Sequence, residues 1–455
     1  MAQTSQQENK MGIMPIPKLL ISMSLPMIIS MLVQALYNVV DSIFVAQISE
    51  NALTAVSLAF PVQNLMIAFA AGTGVGINAL LSKSLGERNF DKANKIAQNG
   101  ILLAIFSCLL FMIFGIFGSR LFFSIQTNNE EIIQYGVEYM SVITIASIGV
   151  FMQITFERLL QSTGKTFFNM ITQGLGAIIN IILDPILIFG WFGLPKMGVL
   201  GAAVATVIGQ IVAAILGFIF NQKYNKEIHV TFKGFKPCME TIGDIYKIGV
   251  PSIIMQSIGS VTTFGMNNIL IACSSETAAT VFGVYFKLQS FIFMPVFGLT
   301  NGMIPIVSYN YGARNKTRIY QTIKLSVIIA VGIMVVGLGI FQFFPKTLLN
   351  FFKASEEMIK IGVPALRAIS LSFVFAGFCI AISSVFQALG NGVYSLIMSA
   401  ARQIAVILPV AYVFSKLFGV DAVWYAYPIA EIASLLICVI LLKRIITLKV
   451  KPLDN

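Results

Sequence analysis

Long apolar segments alternate with short polar ones along the whole chain. A membrane-spanning helix needs about 20 mostly apolar residues, and the segments that meet this length lie near residues 16–48, 54–81, 94–117, 135–161, 167–190, 198–221, 243–272, 278–307, 320–344, 361–387, 394–415 and 420–442. The sixth and seventh segments are separated by the most polar interior stretch. We therefore predict an all-α polytopic membrane protein with twelve transmembrane helices in two six-helix lobes. The N-terminal lobe covers residues 1–221, a cytoplasmic linker covers 222–242, and the C-terminal lobe covers 243–455.

The composition supports this class. Hydrophobic residues make up 57% of the chain and charged residues only 11%, whereas about a quarter of the residues in a soluble domain are charged. The net charge of +11 is explained by loops on one side of the membrane. With a cytoplasmic N-terminus, about 21 Lys and Arg fall inside and about 6 outside. We expect both termini in the cytoplasm and no nucleic-acid partner.

The residues needed for metal or enzyme chemistry are sparse in the sequence. The five cysteines are scattered and His229 is the single histidine, so no zinc, haem or iron–sulfur framework can be written. The chain also carries no Walker A, HExxH or GxSxG motif, which are signatures of nucleotide-binding and hydrolytic sites. We expect no catalytic residues and no cofactor, and therefore no enzyme. A channel remains an alternative.

The two sets of six segments carry matching motifs. Residues 82–89 (SKSLGERN) match 308–315 (SYNYGARN), an offset of 312 − 86 = 226. Residues 161–164 (QSTG) match 387–390 (QALG) at the same offset, and Pro26 matches Pro251 at 225. Because six is an even number, both halves enter the membrane in the same direction. The repeat predicts an internal pseudo-two-fold axis along the membrane normal.

Two acids interrupt apolar segments that otherwise belong in hydrocarbon. Asp184 lies within residues 180–190 (NIILDPILIFG) and Asp41 within 39–45 (VVDSIFV). A charged side chain near the centre of a membrane helix costs roughly 2.5 to 3.5 kcal/mol on insertion scales, so such a residue indicates function. Asn180 lies one turn before Asp184 on the same helix face, and Pro185 removes a backbone donor beside it. We predict that the two acids form one ion site. A kink-capping role for Asp184 and a solvated position for Asp41 are the alternatives.

Uncharged polar residues suggest a cavity next to these acids. Gln34, Tyr37 and Asn38 precede Asp41 by seven, four and three residues, which places all four on one helical stripe. Gln63, Asn64 and Gln153 are candidates for the wall of the same N-lobe cavity. Hydrogen bonds between buried helices explain single Asn and Gln residues equally well. Met and Phe side chains in such a cavity would suit varied organic cations.

Three charges lie about ten residues, or roughly 15 Å, from a membrane face in the second half. They are Lys287 in the eighth segment, Arg402 in the eleventh and Glu431 in the twelfth. Because an unpaired charge at the midplane is costly, we expect Glu431 to pair with Lys287 or Arg402. The alternative is that these residues bind substrate directly.

Several of these segments together resemble the MATE family (multidrug and toxic compound extrusion), in its bacterial branch. The resemblance rests on Leu25-Pro26, residues 40–44 (VDSIF), 86–88 (GER), 161–164 (QSTG), 180–190 and 201–206 (GAAVAT), and it covers essentially the whole chain. It implies two six-helix lobes around a cavity and exchange of cationic drugs for Na⁺ or H⁺. It also implies a cation site at Asp41, Asn180, Asp184 and Thr206, with a hinge in the first helix at Pro26. Other branches place acids in the seventh and tenth helices, which this chain lacks.

The resemblance therefore predicts a cation-coupled multidrug efflux antiporter of the plasma membrane, working by alternating access as a monomer. Its partners would be toxic organic cations and the lipid bilayer. The coupling ion would be Na⁺ or H⁺, with no bound metal beyond a Na⁺ at Asp41 and Asp184. A flippase for lipid-linked saccharides shares the wider superfamily's architecture and is the alternative function.

Overall fold

A computed structural model describes residues 9–229, 235–274, 276–352 and 354–453. Residues 230–234 of the predicted linker, and the ends of the chain at 1–8 and 454–455, lie outside the described residues. The described part of the chain forms helices joined by short connections, without a strand. This agrees with the all-α class predicted from the apolar pattern.

The first half begins with a short helix, and seven further α-helices follow before the linker. The helices are α1 (Lys10–Ile13), α2 (Ile16–Ala46), α3 (Glu50–Gly86), α4 (Phe90–Gln126), α5 (Glu130–Ile145), α6 (Ile148–Ser162), α7 (Thr166–Phe189) and α8 (Val199–Tyr224). A 3₁₀ turn at Trp191–Gly193 follows α7. Gly190 ends α7 in the left-handed region at φ 75°, where glycine is favoured because it has no Cβ.

The second half repeats this order with more interruptions. Its α-helices are α9 (Met239–Cys273), α10 (Glu276–Gly312), α11 (Lys316–Phe343), α12 (Pro345–Asn350), α13 (Glu356–Ser370), α14 (Phe373–Ala388), α15 (Gly392–Ala400), α16 (Leu408–Leu417), α17 (Val420–Val423) and α18 (Ala426–Ile445). A π-helical segment at Ala401–Ile407 joins α15 to α16, and another at Ile446–Val450 follows α18.

The predicted spans correspond to these helices in order. By length and composition, eight described helices can cross a membrane, or ten if each bent pair counts as one span. The bent pairs are α5 with α6, at 44°, and α13 with α14, at 49°. Helices α9 and α18 do not meet this criterion, and they lie at the seventh and twelfth spans predicted from the sequence. Hydropathy predicted each bent pair as one straight helix, because breaks at Ala146–Ser147 and Leu371–Ser372 contain neither Pro nor Gly.

The chain forms two compact units. The first contains residues 9–10 and 29–253, and the second contains 11–28 and 254–453, among the described residues. Each unit thus takes the first part of one helix from the other half of the sequence, 11–28 in one case and 239–253 in the other. The changes of unit fall two residues after Pro26 in α2 and two after Pro251 in α9. The lobe boundaries at 221 and 243 stay a prediction.

Each unit contains the same local structures at the repeat offset. In the first, Ser82 Oγ donates to the Ser162 carbonyl at 2.9 Å, and in the second Ser308 Oγ donates to the Ala388 carbonyl at 2.9 Å. The turn after α3 places Arg88 at φ 57°, and the turn after α10 places Arg314 at φ 58°. Both turns then begin the next helix with an Asn cap, a residue whose side-chain oxygen satisfies a free backbone N–H. The internal repeat is therefore a repeat of structure as well as of sequence.

Close packing between α7 and α8 fixes the helix that carries Asp184. A Cβ added to Gly209 would lie 2.7 Å from the Gly176 carbonyl oxygen, and one added to Gly201 would lie 2.7 Å from the Leu187 carbonyl. Two helices approach this closely only where one of them lacks a side chain. The buried face of α7 includes Thr172, Gly176, Asn180 and Asp184, each four residues after the last.

Candidate functional site

The four residues predicted to form an ion site lie together in the first unit. Asp184 on α7 is fully buried, and Asn180 and Thr206 are 3% and 5% exposed. Asn180 Nδ2 lies 3.2 Å from Thr206 Oγ1 on α8 and 3.5 Å from Asp184 Oδ1. Asp41 on α2 is half-buried, and its carboxyl group interacts electrostatically with that of Asp184. Three helices therefore bring the four side chains to one place.

This site presents unsatisfied oxygens. Asp41 Oδ1, Asp184 Oδ2 and Asn180 Oδ1 are buried and accept no hydrogen bond from a donor in the described residues. Buried polar atoms without a partner are rare, and each requires an explanation such as an ion or a proton. Two adjacent carboxylates also repel each other in a low dielectric. Carboxylate, amide and hydroxyl oxygens are the ligands of hard cations, so the residues fit Na⁺, and the paired carboxyls fit a shared proton.

Transition metals do not fit the described residues. Among them, no group of three or more His, Cys, Asp or Glu side chains could hold such an ion. The candidate site contains two carboxylates with an amide and a hydroxyl. A Na⁺ ion or a proton is therefore the class of ligand that these groups could bind.

Two tyrosines lie beside the carboxyl pair. Tyr37 precedes Asp41 by one turn of α2, and electrostatic interactions reach it from both Asp41 and Asp184. Tyr139 on α5 is buried, lies within reach of Asp41 and Tyr37, and accepts a hydrogen bond from Gln63 Nε2 at 3.2 Å. Tyr139 is not predictable as a site residue from the sequence, because a tyrosine in an apolar span gives no signal until its neighbours are known.

The other predicted cavity residues of the first unit have different surroundings. Gln34 accepts a hydrogen bond from Gln173 of α7 at 3.0 Å. It therefore links α2 to α7 at positions that precede both acids in the chain. Asn38 is exposed, and Asn64 is half-buried on α3. Gln153 donates to Glu157 at 3.0 Å and belongs to a separate cluster.

This separate cluster includes two charged residues that are not among the predicted site residues. Glu157 is 7% exposed, and Arg158 donates from Nη1 to Gln161 Oε1 at 2.7 Å. Both lie inside the predicted span 135–161, so their charge was a usable signal. They were missed because they lie close to the predicted end of that span, where charged residues are ordinary.

The second unit contains a buried ion pair. Arg402 Nη1 donates to Glu431 Oε1 at 2.9 Å, with the Glu431 side chain 8% exposed. Arg402 lies in the π-helical segment Ala401–Ile407, a local widening that is frequent at functional sites. Tyr285 and Tyr427 flank the pair, with ring centroids 6.1 Å apart. Lys287 on α10 is exposed, and Arg402 is the described cation that pairs with Glu431.

The predicted hinge residue lies inside a continuous helix. Pro26 is a buried residue of α2, which runs unbroken from Ile16 to Ala46. Proline removes one hydrogen bond of the helical ladder, so the helix is weakened at this point without being broken. Fifteen residues separate Pro26 from Asp41, since 41 − 26 = 15.

The fold and the buried polar site define a multi-pass helical membrane protein with a candidate ion site in its first unit. The family model described as MatE matches the chain twice, over residues 26–186 and 251–413. The chain is 28% identical over 437 residues to "Multidrug export protein MepA" of Staphylococcus aureus (strain MSSA476), covering 95% of each chain. Two solved structures are also similar. One is described as the outward-facing conformation of a multidrug resistance MATE family transporter of the MOP superfamily, with TM-score 0.91, 26% identity, and coverage of 99% of this chain and 100% of that one. The other is described as MATE in the bent conformation, with TM-score 0.89, 26% identity, and coverage of 96% and 97%.

The chain therefore belongs to the MatE family, and the resemblance stated from the sequence is confirmed. Members of this family are transporters and not enzymes, as predicted.

Proposed function

We propose that this protein is a cation-coupled multidrug efflux antiporter. The observation that carries the proposal is the pairing of Asp41 with Asp184 at a buried site with three unsatisfied oxygens. Such a site holds its acids at a cost in stability, which a coupling role explains. The Staphylococcus aureus relative is named a multidrug export protein, which supports drugs as the substrate class.

The coupling ion acts by changing the interaction between α2 and α7. With both carboxyls ionised, Asp41 and Asp184 repel, and the outer part of α2 is pushed away from α7. A Na⁺ ion or a proton between them removes the repulsion and draws the two helices together. The Gln34–Gln173 hydrogen bond, 3.0 Å long, joins the same two helices about two turns before Asp41 on α2 and three turns before Asp184 on α7. The ion therefore favours one position of α2 over another.

Movement of α2 links the ion to the drug. Its weak point at Pro26 allows the part of the helix that carries Tyr37 and Asp41 to change direction. Because Tyr37 lies beside both carboxyls, the same movement changes the surface that an organic cation contacts. An ion that binds one conformation more tightly shifts the population toward it, and the drug is bound less tightly there. Relatives described as outward-facing and as bent support the existence of more than one conformation in the family.

The drug would occupy an apolar cavity with a few polar groups. Tyr37, Gln63 and Asn64 supply aromatic and amide groups in the first unit. Aromatic faces attract organic cations, and an uncharged lining accepts varied shapes. We place the protein in the plasma membrane as a monomer. The Lys and Arg distribution along its loops supports a cytoplasmic position for both termini.

Efflux of ethidium from proteoliposomes tests the proposal. A Na⁺ gradient and a pH gradient should be imposed separately on vesicles containing the parent protein. We expect ethidium transport to follow one or both gradients and to stop when the gradient is collapsed by an ionophore. Gradient-independent movement of a fluorescent lipid-linked saccharide, without ethidium efflux, would instead establish the flippase function.

A further inference from the structure

A third buried acid of the first unit has no part in the Asp41 and Asp184 site. Glu157 lies on α6 and is 7% exposed. Its Oε1 atom accepts hydrogen bonds from Gln153 Nε2 at 3.0 Å and from Thr172 Oγ1 of α7 at 3.3 Å. Both donors are neutral. The carboxyl group is therefore held inside the helix bundle by neutral groups. Because they do not neutralise its charge, it can gain or lose a proton.

The Thr172 hydroxyl has two possible acceptors. It lies 3.3 Å from Glu157 Oε1 and 2.8 Å from the Asn169 carbonyl oxygen of its own helix. A hydroxyl has one hydrogen to donate, so it bonds well to one acceptor at a time. It turns toward Glu157 when that carboxyl is ionised. When Glu157 is protonated, its O–H donates to Thr172 Oγ1, and the hydroxyl hydrogen turns to the Asn169 carbonyl.

The charged surroundings of Glu157 are simple. Arg158, the next residue, is the charged group that acts on it electrostatically. Helix α6 packs against α3, α4, α7 and α8, whose charged residues are Glu50, Lys83, Asp91, Lys92, Lys95, Arg120, Asp184 and Lys223. All of these, like Glu157 itself, lie within about two turns of a helix end, and none of them acts on Glu157 electrostatically. No other charge within the described helix bundle therefore fixes the ionisation of Glu157.

Helix α7 connects this acid to the Asp184 site. Thr172 and Asp184 lie on the same buried face, twelve residues apart, which is about 18 Å along the axis. Between them, Gly176 packs against α8, where an added Cβ would lie 3.0 Å from the Gly209 carbonyl oxygen. The two polar sites are thus separate, with a tightly packed segment between them, and share one rigid helix.

We propose that Glu157 is a second proton-binding site of the transport cycle, at the end of α7 opposite Asp184. This proposal rests on the antiporter function proposed above. A carboxylate accepts one proton to become a carboxylic acid, and the same proton is released when α7 returns to its starting position. Gln153 and Thr172 turn donor groups toward Glu157 and supply no oxygen ligand for a metal cation there, so a proton is the cation that suits the site. The change at Thr172 then alters how α6 holds α7, the helix that carries Asp184.

Infrared difference spectroscopy tests proton binding without reference to transport. The full-length protein with Asp41→Asn and Asp184→Asn, reconstituted in lipid, should be stepped between acidic and alkaline pH, and the carboxylic-acid C=O band recorded. We expect the band to lose one component when Glu157→Gln is added, and to keep it with Glu157→Asp. Glu130→Gln, the same change at an exposed position, is the matched control and should leave that component in place. A spectrum unchanged by Glu157→Gln would overturn the proposal.

Transport by the same substitutions, made with Asp41 and Asp184 intact, separates proton binding from packing. Gln reproduces the shape of Glu without its proton, whereas Asp retains an ionisable group at a shorter reach. We expect pH-driven ethidium efflux to be lower in Glu157→Gln than in Glu157→Asp. The opposite order would assign Glu157 a packing role only. If the parent protein shows no ion-driven efflux, the proposed function fails, while the infrared result still decides whether Glu157 binds a proton.

Discussion

The two units have the same helical framework, but their buried acids have different contacts. In the first, Asp41, Asp184 and Glu157 are contacted mainly by amide, hydroxyl and carboxyl groups. In the second, Glu431 is held by the guanidinium of Arg402 at 2.9 Å. An acid that is not hydrogen-bonded to a cation changes its interactions when a cation arrives or leaves, whereas an acid paired with arginine is already neutralised. Duplication of the fold has therefore not duplicated the chemistry.

The repeat offset identifies which residues of the second half stand at the positions of the first unit's acids. Glu157 corresponds to Ser383, since 157 + 226 = 383, and the eleventh predicted span, residues 394–415, which matches the span containing Asp184, has no Asp or Glu. The two offsets place Asp41 at Met266 (41 + 225) or Asn267 (41 + 226), neither of which is an acid. The hydrogen bonds of Ser82 and Ser308, which organise the turns, are retained in both units. Framework positions were kept while the ionisable positions diverged.

The largest expected effect is the loss of coupling when either acid of the first unit is neutralised. Asp41→Asn and Asp184→Asn keep the side-chain volume and remove the charge, so ion-driven ethidium efflux should fall to near background in each. Folding should survive or improve, because an acid that serves function is held at a cost in stability. Drug binding to detergent-solubilised protein should remain but lose its response to pH or Na⁺.

Asn267→Asp, which adds an acid to the second unit, is a useful comparison for these variants. It should not restore efflux to Asp41→Asn, because the partners of Asp184 lie in the first unit. If Asp184→Asn still exports ethidium with the ion dependence of the parent, the hypothesis of a shared ion site is wrong. Asp184 would then have only a structural role in α7, beside Pro185.

The second largest effect concerns the ion pair of the second unit. Glu431→Gln leaves Arg402 without its carboxylate, and breaking a buried pair from one side costs about 3 to 5 kcal/mol. We expect a lower melting temperature in detergent, with the ion dependence of the remaining efflux unchanged. The double variant Arg402→Met with Glu431→Leu removes both charges and should recover much of the lost stability. If Glu431→Gln stays stable while ethidium affinity collapses, the pair belongs to the substrate site.

The sequence predicts the order of the helices better than it predicts the contacts of the polar residues. The order of helices and the repeat follow from hydropathy and from three short motifs, because a bilayer requires long apolar segments. Asp41 and Asp184 are predictable for the same reason, because a charged residue stands out within an apolar membrane span. The partners of Gln34, Gln63 and Gln153 are not predictable, because they come from helix packing and from side-chain rotamers. The π-helical segment at Ala401–Ile407 also has no signature in an apolar pattern.

Close packing at the first unit's α7 gives a moderate effect with an internal control. Gly209→Ala places a Cβ 2.7 Å from the Gly176 carbonyl oxygen, and backbone must move to relieve the contact. Overpacking of this kind costs about 1 to 3 kcal/mol. Gly174→Ala on α7 has no atom within 4 Å of the new Cβ and should be neutral or stabilising by about 0.5 to 1 kcal/mol. In the same detergent, the melting temperature should fall in Gly209→Ala and stay the same or rise in Gly174→Ala, and equal shifts would contradict the packing described.

The smallest effect concerns Glu227, an acid of the first unit that lies beyond the membrane helices. Asn9 Nδ2 donates to its Oε1 atom, and its other oxygen, Oε2, is buried without a hydrogen-bond partner in the described residues. Burial raises the pKa of the Glu227 carboxyl above its ordinary value, and the nearby charge of Lys165 offsets part of the rise. A folded state with a raised pKa binds its proton more tightly than the unfolded chain does. Its stability is therefore highest at low pH and falls as the pH rises through the two pKa values.

Glu227→Gln should remove this contribution to the pH dependence. Gln keeps an oxygen that accepts from Asn9, so the contact survives while the titration is lost. We expect the melting temperature of the variant to fall less than that of the parent between mildly acidic and neutral pH, by an amount equivalent to about 1 kcal/mol or less. Glu240→Gln, at an exposed position of α9, should follow the parent curve. Efflux should retain its ion dependence, because Glu227 is not part of the Asp41 and Asp184 site. A loss of coupling in Glu227→Gln would mean that acids outside the membrane also take part in the cycle, and that the contrast between the two units is not confined to their buried helices.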